Sequence, residues 1–89
     1  MLEDLMNETV ALVKEGKIVK NDILASVQEN KIYTFDTSTS FYKDDIIRRE
    51  LSNGNIEEYK INDPELIKGL GKIKDYFKLH VTKQQVSRS

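Results

Sequence analysis

Apolar and polar residues alternate along much of the chain with the period of two that is typical of β-strands with one buried face. The pattern predicts strands near residues 9–14, 17–20, 23–28 and 31–35, and a half-buried closing strand within residues 73–83. Glu15-Gly16 predicts a turn between the first two strands, and Thr37–Ser40 predicts a loop. The short spacing between these runs favours successive antiparallel strands.

A further hairpin is predicted around Asn53-Gly54, which lies between two strand-like runs, 46–51 and 56–61. A type I′ turn requires positive φ at both central residues, and Asn-Gly tolerates that conformation well. The register of such a turn would pair residues of matching character: Leu51 with Ile56, Arg49 with Glu58, Arg48 with Tyr59, and Ile46 with Ile61. We therefore predict a two-residue turn with this register.

Two segments favour short helical structure. Leu2, Leu5 and Met6 have near-helical spacing, which predicts a short helix or coil over residues 1–8. Pro64 is expected to end the preceding strand, and an aspartate before it could cap one helical turn over residues 65–69.

Together these elements predict a mainly β protein, with an α+β arrangement as the alternative. We expect about six antiparallel strands in a small barrel or sandwich, with one or two short helical segments. A barrel is favoured because closure removes exposed strand edges. We predict a single domain over residues 1–83 and a disordered tail over residues 84–89.

Composition excludes several kinds of chemistry. The chain has 89 residues, no cysteine and one histidine, which excludes disulfides, Cys-ligated zinc, iron–sulfur clusters and thiol nucleophiles. His80 alternates with Lys78 and Thr82 on the expected solvent face of the last strand. Asp44-Asp45 lacks the spacing of an EF-hand loop and is typical of a turn. We expect no catalytic residues, no metal site, no cofactor and no enzymatic activity.

The formal charge of −1 hides an uneven distribution. Residues 1–67 contain 8 basic and 14 acidic residues, and residues 68–89 contain 6 basic residues and 1 acidic residue. Such an asymmetry is found in proteins that bind an anionic partner, in folds whose two parts attract each other, and in proteins whose copies contact head to tail.

Nothing in the sequence suggests a membrane segment. No apolar run approaches the roughly 20 residues of a membrane span, and Met1–Asn7 contains two acids and no basic residue, unlike a signal peptide. We expect a cytoplasmic protein that does not contact membranes.

The segment after Pro64 is the candidate contact surface. Its apolar residues surround two flexible glycines and are followed by lysines; the candidate residues are Leu66, Ile67, Leu70, Lys72, Lys74 and Lys78. We expect a non-enzymatic binding or assembly module that acts through this loop or through a sheet edge, with a protein partner or self-association.

The alternative is a domain that binds single-stranded nucleic acid through its basic C-terminal segment, with aromatic residues for stacking. The aromatic candidates are Tyr33, Phe35, Phe41, Tyr42, Tyr76 and Phe77. The sequence pI of about 5.8 disfavours this alternative.

Two stretches resemble a group of small uncharacterised bacterial proteins. They are Asp45–Pro64, with its Ile-x-Arg and Asn-Gly elements, and Asp75–Lys83. Those proteins show the pattern "I-x-R-x-LPNG-xx-E-x-Y-x-V-x-DP" followed by "HYQV-x-V-x-K". Here Ser52 replaces the proline of that pattern, and Asp75 replaces its histidine. The resemblance implies a recurring β fold and a prophage-associated or accessory role, and it carries no activity or functional residues.

Overall fold

The computed structural model describes residues 8–84, which form a closed barrel. Its six strands are β1 (Glu8–Lys14), β2 (Lys17–Val27), β3 (Lys31–Thr34), β4 (Ile46–Glu50), β5 (Ile56–Ile67) and β6 (Tyr76–Gln84). All neighbouring strands are antiparallel, and their order is β1-β2-β3-β6-β5-β4, with β4 paired to β1. The prediction of a mainly β fold with about six strands is confirmed, and the architecture is a barrel, not a sandwich.

The barrel interior holds one apolar cluster to which every strand contributes. Leu12, Ile47 and Ile61 are almost fully buried, and each such side chain contributes roughly 1.5 to 3 kcal/mol. Phe41, in the loop after β3, packs edge-on against Phe77 with 5.1 Å between ring centroids. The other buried members are Val10, Ile23, Ala25, Ile32, Tyr59, Leu79 and Val81.

The predicted hairpin between β4 and β5 forms, but its turn differs from the prediction. The Leu51 N–H donates to the Asn55 carbonyl, and the Gly54 N–H donates to the Leu51 carbonyl. Gly54 has a φ of 88°, whereas Asn53 does not have positive φ. These features are those of a type I turn followed by a glycine bulge, which gives a three-residue loop. The predicted type I′ turn is therefore wrong.

This longer loop shifts the pairing register by one residue. Arg49 lies opposite Glu57, not Glu58, and Ile47 lies opposite Tyr59. Because Ile47 and Tyr59 are both buried, this register places large side chains from both strands inside the barrel. The predicted register paired residues of matching polarity across the two strands. It did not consider which face of each strand lies inside the barrel.

β2 is one strand of 11 residues, where the sequence predicts two. Ile23 pairs with Val10 and Lys20 pairs with Leu12, so that Asn21 and Asp22 form a bulge. Asp22 has a φ of 59°, a conformation that aspartate tolerates better than most residues. The bulge bends the strand without ending it.

No helix forms within residues 8–84, so the helical turn predicted over residues 65–69 is wrong. This part of the chain consequently has no helix that could cross a membrane. β5 continues through Pro64 to Ile67 while paired with β6. Among the described residues, the hydrogen bonds from β5 towards β4 end at Ile61. Proline fits this part of the strand because its missing N–H can face the unpaired side.

The remaining sequence predictions concern the two ends of the chain. The helix or coil predicted over residues 1–8 lies outside the described residues except for Glu8, which begins β1. The tail predicted over residues 84–89 also lies outside them except for Gln84, which ends β6.

Replacing Gly54 by alanine should lower the free energy of unfolding by about 1 kcal/mol, because a Cβ disfavours its positive φ. No atom lies within 4 Å of the added Cβ, so the effect would come from the backbone alone. Gly54→Asn should cost less, because asparagine adopts this conformation more readily. Urea unfolding measures both variants, and an alanine variant as stable as the wild type would contradict the glycine bulge.

Candidate functional site

The candidate contact residues cluster where β5 and β6 extend to their connecting loop. We call this region, residues 66–74, the basic tip. Leu66 is 49%, Leu70 83% and Ile73 52% exposed, whereas Leu79 farther along β6 is fully buried. Lys68, Lys72 and Lys74 belong to the same region and are all exposed. The tip therefore presents apolar side chains among positive charges.

Local hydrogen bonds give the basic tip a defined shape. The Gly69 N–H donates to Asp75 Oδ1 at 2.9 Å, and the Ile73 N–H donates to the Leu70 carbonyl at 3.0 Å. The bond from the Gly69 amide, together with Lys68, lowers the pKa of Asp75. A Cβ at Gly69 would lie 1.8 Å from the Ile73 carbonyl oxygen, so the tight turn requires glycine. Lys68 Nζ lies 3.4 Å from Asp75 Oδ2. Within residues 8–84, neither Lys72 nor Lys74 forms an ion pair.

Two of the six candidate contact residues adjoin a second surface: Lys78 lies outside the basic tip, and Ile67 lies within it but opposite Tyr76. Ile67 pairs with Tyr76, and Lys78 pairs with Glu65 on one side and Tyr33 on the other. The structure thus groups Leu66, Leu70, Lys72 and Lys74 at the tip and places Ile67 and Lys78 beside a second surface.

That second surface is a cluster of aromatic rings on the outside of β3 and β6, which we call the outer aromatic cluster. The ring of Tyr76 lies 6.3 Å from that of Tyr33 and 5.9 Å from that of Phe35, measured between centroids. All three residues are half-buried, whereas Phe41 belongs to the core. The sequence identifies these aromatics but does not separate the outer from the inner ones. Alternation groups Tyr33 and Phe35 on one face and Ile32 on the other, but only the structure shows that the face of Ile32 is the inner one.

A groove at the opposite end of β5 was not predicted from the sequence. It encloses about 350 Å³ and is lined by Ala11, Ile18, Asp22, Arg48, Glu50 and Ile56, among others. Asn21 and Asp22, which form the β2 bulge, line one side of the groove. The sequence marks this place only as the break between the two strands predicted over 17–20 and 23–28, and it does not show that the break is a bulge within one strand.

Charged residues converge at one further place, the ion network around Glu57. Arg49 donates to Glu57 and, at 2.5 Å, to Glu8. Lys83 donates to Glu57 Oε2 at 2.8 Å, and the Tyr59 hydroxyl donates to Glu57 Oε1 at 2.8 Å. Because these groups satisfy one another's hydrogen bonds, the network stabilises the fold.

These contacts shift the acid–base properties of the network. Hydrogen bonds from Lys83, Arg49 and Tyr59 lower the pKa of Glu57 to about 2. Burial and the bond to Glu57 raise the pKa of Tyr59 to about 12. Both groups therefore keep one protonation state around neutral pH, which does not suit proton transfer there.

The remaining polar candidates are also engaged locally. His80 Nε2 lies 3.0 Å from Glu65 Oε1 on the outer surface, and this contact lowers the pKa of Glu65. Asp45 pairs with Lys14 and accepts the Tyr42 N–H at 3.0 Å. Among residues 8–84, no three His, Asp or Glu side chains are grouped to hold a metal ion.

No protein-family model, no curated protein and no solved structure matches this chain. The basic tip, the outer aromatic cluster and the groove must therefore be interpreted from their own chemistry.

The Glu57 network makes stability depend on acid pH. The folded-state pKa of about 2 lies below the ordinary glutamate value of 4.5, so the network stabilises the protein above about pH 4.5 and loses this effect as pH falls towards 2. We expect a loss on the order of 2 to 3 kcal/mol from this group. Glu57→Gln should be less stable at neutral pH and should show a shallower decline in acid.

Denaturant unfolding across this pH range measures the effect. The matched control is Glu58→Gln, because Glu58 is adjacent but lies opposite Arg48 rather than in the network. An unchanged acid decline in Glu57→Gln would contradict the assigned role of Glu57.

Proposed function

We propose that this protein is a non-enzymatic binding or assembly module that contacts a protein partner through the basic tip. The observation that carries the proposal is the exposure of Leu70, 83%, at the centre of a positively charged turn. Apolar groups displayed on a shaped surface and rimmed by charge are typical of interaction sites. The barrel holds this turn at the end of two paired strands, which limits the conformational entropy lost on binding.

The side chains of the tip are better suited to binding than the neighbouring sheet edge. Within residues 8–84, no strand pairs with one side of β5 beyond Ile61, where a partner strand could add. Pro64 has no N–H to donate within this short stretch, and proline on an edge disfavours strand pairing. We therefore favour recognition through Leu66, Leu70 and the lysines over the addition of a partner strand to the edge of β5.

The partner surface should carry an apolar depression with carboxylates around it. The lysine ammonium groups at the rim would accelerate association with the partner and make binding depend on salt. Burial of the apolar side chains would supply most of the affinity. A contact limited to one turn lies at the small end of the interface range, which favours a weak or transient complex.

The resemblance in Asp45–Pro64 and Asp75–Lys83 supports a more specific setting. We propose that the module is a bacterial accessory protein of prophage or mobile-element origin that acts in the cytoplasm.

A photo-crosslinking amino acid at position 70 tests the tip directly. In cells that produce the full chain, we expect discrete adducts from position 70 that weaken at high salt and with Lys72→Glu and Lys74→Glu, because salt screens the charged contacts and the substitutions reverse them. Position 42 is the matched control, since Tyr42 is an exposed hydrophobic residue, 61%, outside the tip. Equal adducts from both positions, or none from position 70, would contradict the proposal.

A second candidate function is binding of single-stranded nucleic acid at the outer aromatic cluster. The three outer rings could stack on bases, and Lys78 lies directly opposite Tyr33. Surfaces that combine aromatic rings with lysines bind single strands without reading their sequence. Glu65 reduces the positive charge here, since it lies opposite Lys78, so this function ranks below protein binding.

Fluorescence anisotropy with labelled oligothymidylate tests this candidate. Binding should weaken steeply with salt, and Tyr33→Leu with Tyr76→Leu should reduce affinity by roughly tenfold or more, because each stacked base is worth about 1 to 3 kcal/mol. Tyr42→Leu serves as the control, because it removes an exposed ring outside the cluster. Absence of binding at low salt, or equal affinity in all variants, would rule the candidate out.

A further inference from the structure

The groove and the basic tip are complementary in charge and polarity. The groove combines the apolar Ile18 and Ile56 with the carboxylates of Asp22 and Glu50, whereas the tip combines Leu70 with lysines. We propose that the basic tip of one copy docks in the groove of a second copy, which gives head-to-tail assembly. This inference rests on the proposed binding role of the tip and names its partner.

The groove has the size and the composition to receive an apolar side chain. Its volume of about 350 Å³ lies within the usual range for binding clefts. Arg48 also lines it, so the lining holds two carboxylates against one guanidinium and keeps a net negative charge. Asp22 and Glu50 are both exposed, and within residues 8–84 neither forms an ion pair. The carboxylates of Asp22 and Glu50 are therefore available to pair with the lysines of another copy.

The tip cannot reach the groove of its own chain. Ile56 begins β5 and lines the groove, whereas Ile67 ends β5 next to the tip. At about 3.3 Å per residue, the two ends of this strand are roughly 35 Å apart. The two surfaces lie at opposite ends of a continuous strand, so their contact must be intermolecular.

A contact between two different surfaces does not close a dimer. Each copy that docks its tip still offers a free groove, so association continues into chains unless the geometry closes a ring. The small apolar area predicts weak, concentration-dependent assembly, and the charges predict that salt opposes it.

Sedimentation velocity of the purified full chain tests the inference. At about 50 mM salt the mean mass should increase with concentration, and at about 500 mM the increase should be much smaller. Leu70→Asp at the tip, and Asp22→Asn with Glu50→Lys at the groove, should each weaken association by about tenfold or more. Asparagine is chosen at position 22 because it also tolerates positive φ.

Matched controls separate docking from a general effect of charge. Tyr42→Asp introduces the same acid at another exposed site, and Glu29→Lys with Asp63→Asn reproduces the charge change of the groove variant elsewhere. Both controls should associate as the wild type does. An equimolar mixture of the tip and groove variants should associate again but stop at the dimer, because only one intact tip and one intact groove remain to pair.

Three results would overturn the inference: a monomer at every concentration in low salt, controls as defective as the site variants, or no association in the mixture. A monomeric purified protein that still forms adducts of another mass from position 70 in cells would reject self-docking and leave the proposed function standing. A monomer without such adducts would reject both.

Discussion

The structure depends on the seam where β1 pairs with β4. This pairing, together with that of β3 and β6, joins two three-stranded meanders into one closed barrel. Among the residues that the structure describes, three pairs join the strands across the seam, between Ala11–Val13 and Ile46–Arg48. An ion pair lies beside each end of it: Lys14 with Asp45, and Glu8 with Arg49. The partners are 31 and 41 residues apart in the chain, so these contacts help to offset the entropy of closing long loops.

The seam and the core are separate from the basic tip. Ile47 and Leu12, which pair across the seam, belong to the buried cluster, whereas Leu70 contributes little to it because it is largely exposed. Substitutions at the tip should therefore change the proposed association far more than folding. This separation makes the tip suitable for binding, because its apolar groups remain available to a partner while the barrel retains its own core.

Local sequence signals identify most of the strands, and their failures have a common origin. Alternation over Phe77, Leu79 and Val81 identifies the closing strand, because one buried face produces that period. Pro64 was expected to end β5, but proline ends a strand only where both sides must pair. Whether one side is free depends on where β4 begins, and no local pattern around Pro64 contains that information.

The candidate site was predictable only in part for the same reason. Leu66 and Leu70 are apolar residues next to glycines and lysines. This local pattern indicates an interaction loop even when the fold is not known. The groove depends instead on the bulge at Asp22 and on the arrival of Glu50 and Ile56 beside it. These residues come from distant parts of the chain, and only barrel closure brings them together.

By itself, the sequence determined the strand-forming segments, the position of the main hairpin and the polarity of the tip, because each follows from neighbouring residues. Tertiary structure decided the hairpin register, the continuation through Pro64 and the outward placement of Tyr33 and Tyr76. Those features depend on which face of each strand is inside the barrel. That choice is made collectively, when all six strands must bury their larger side chains in one closed interior.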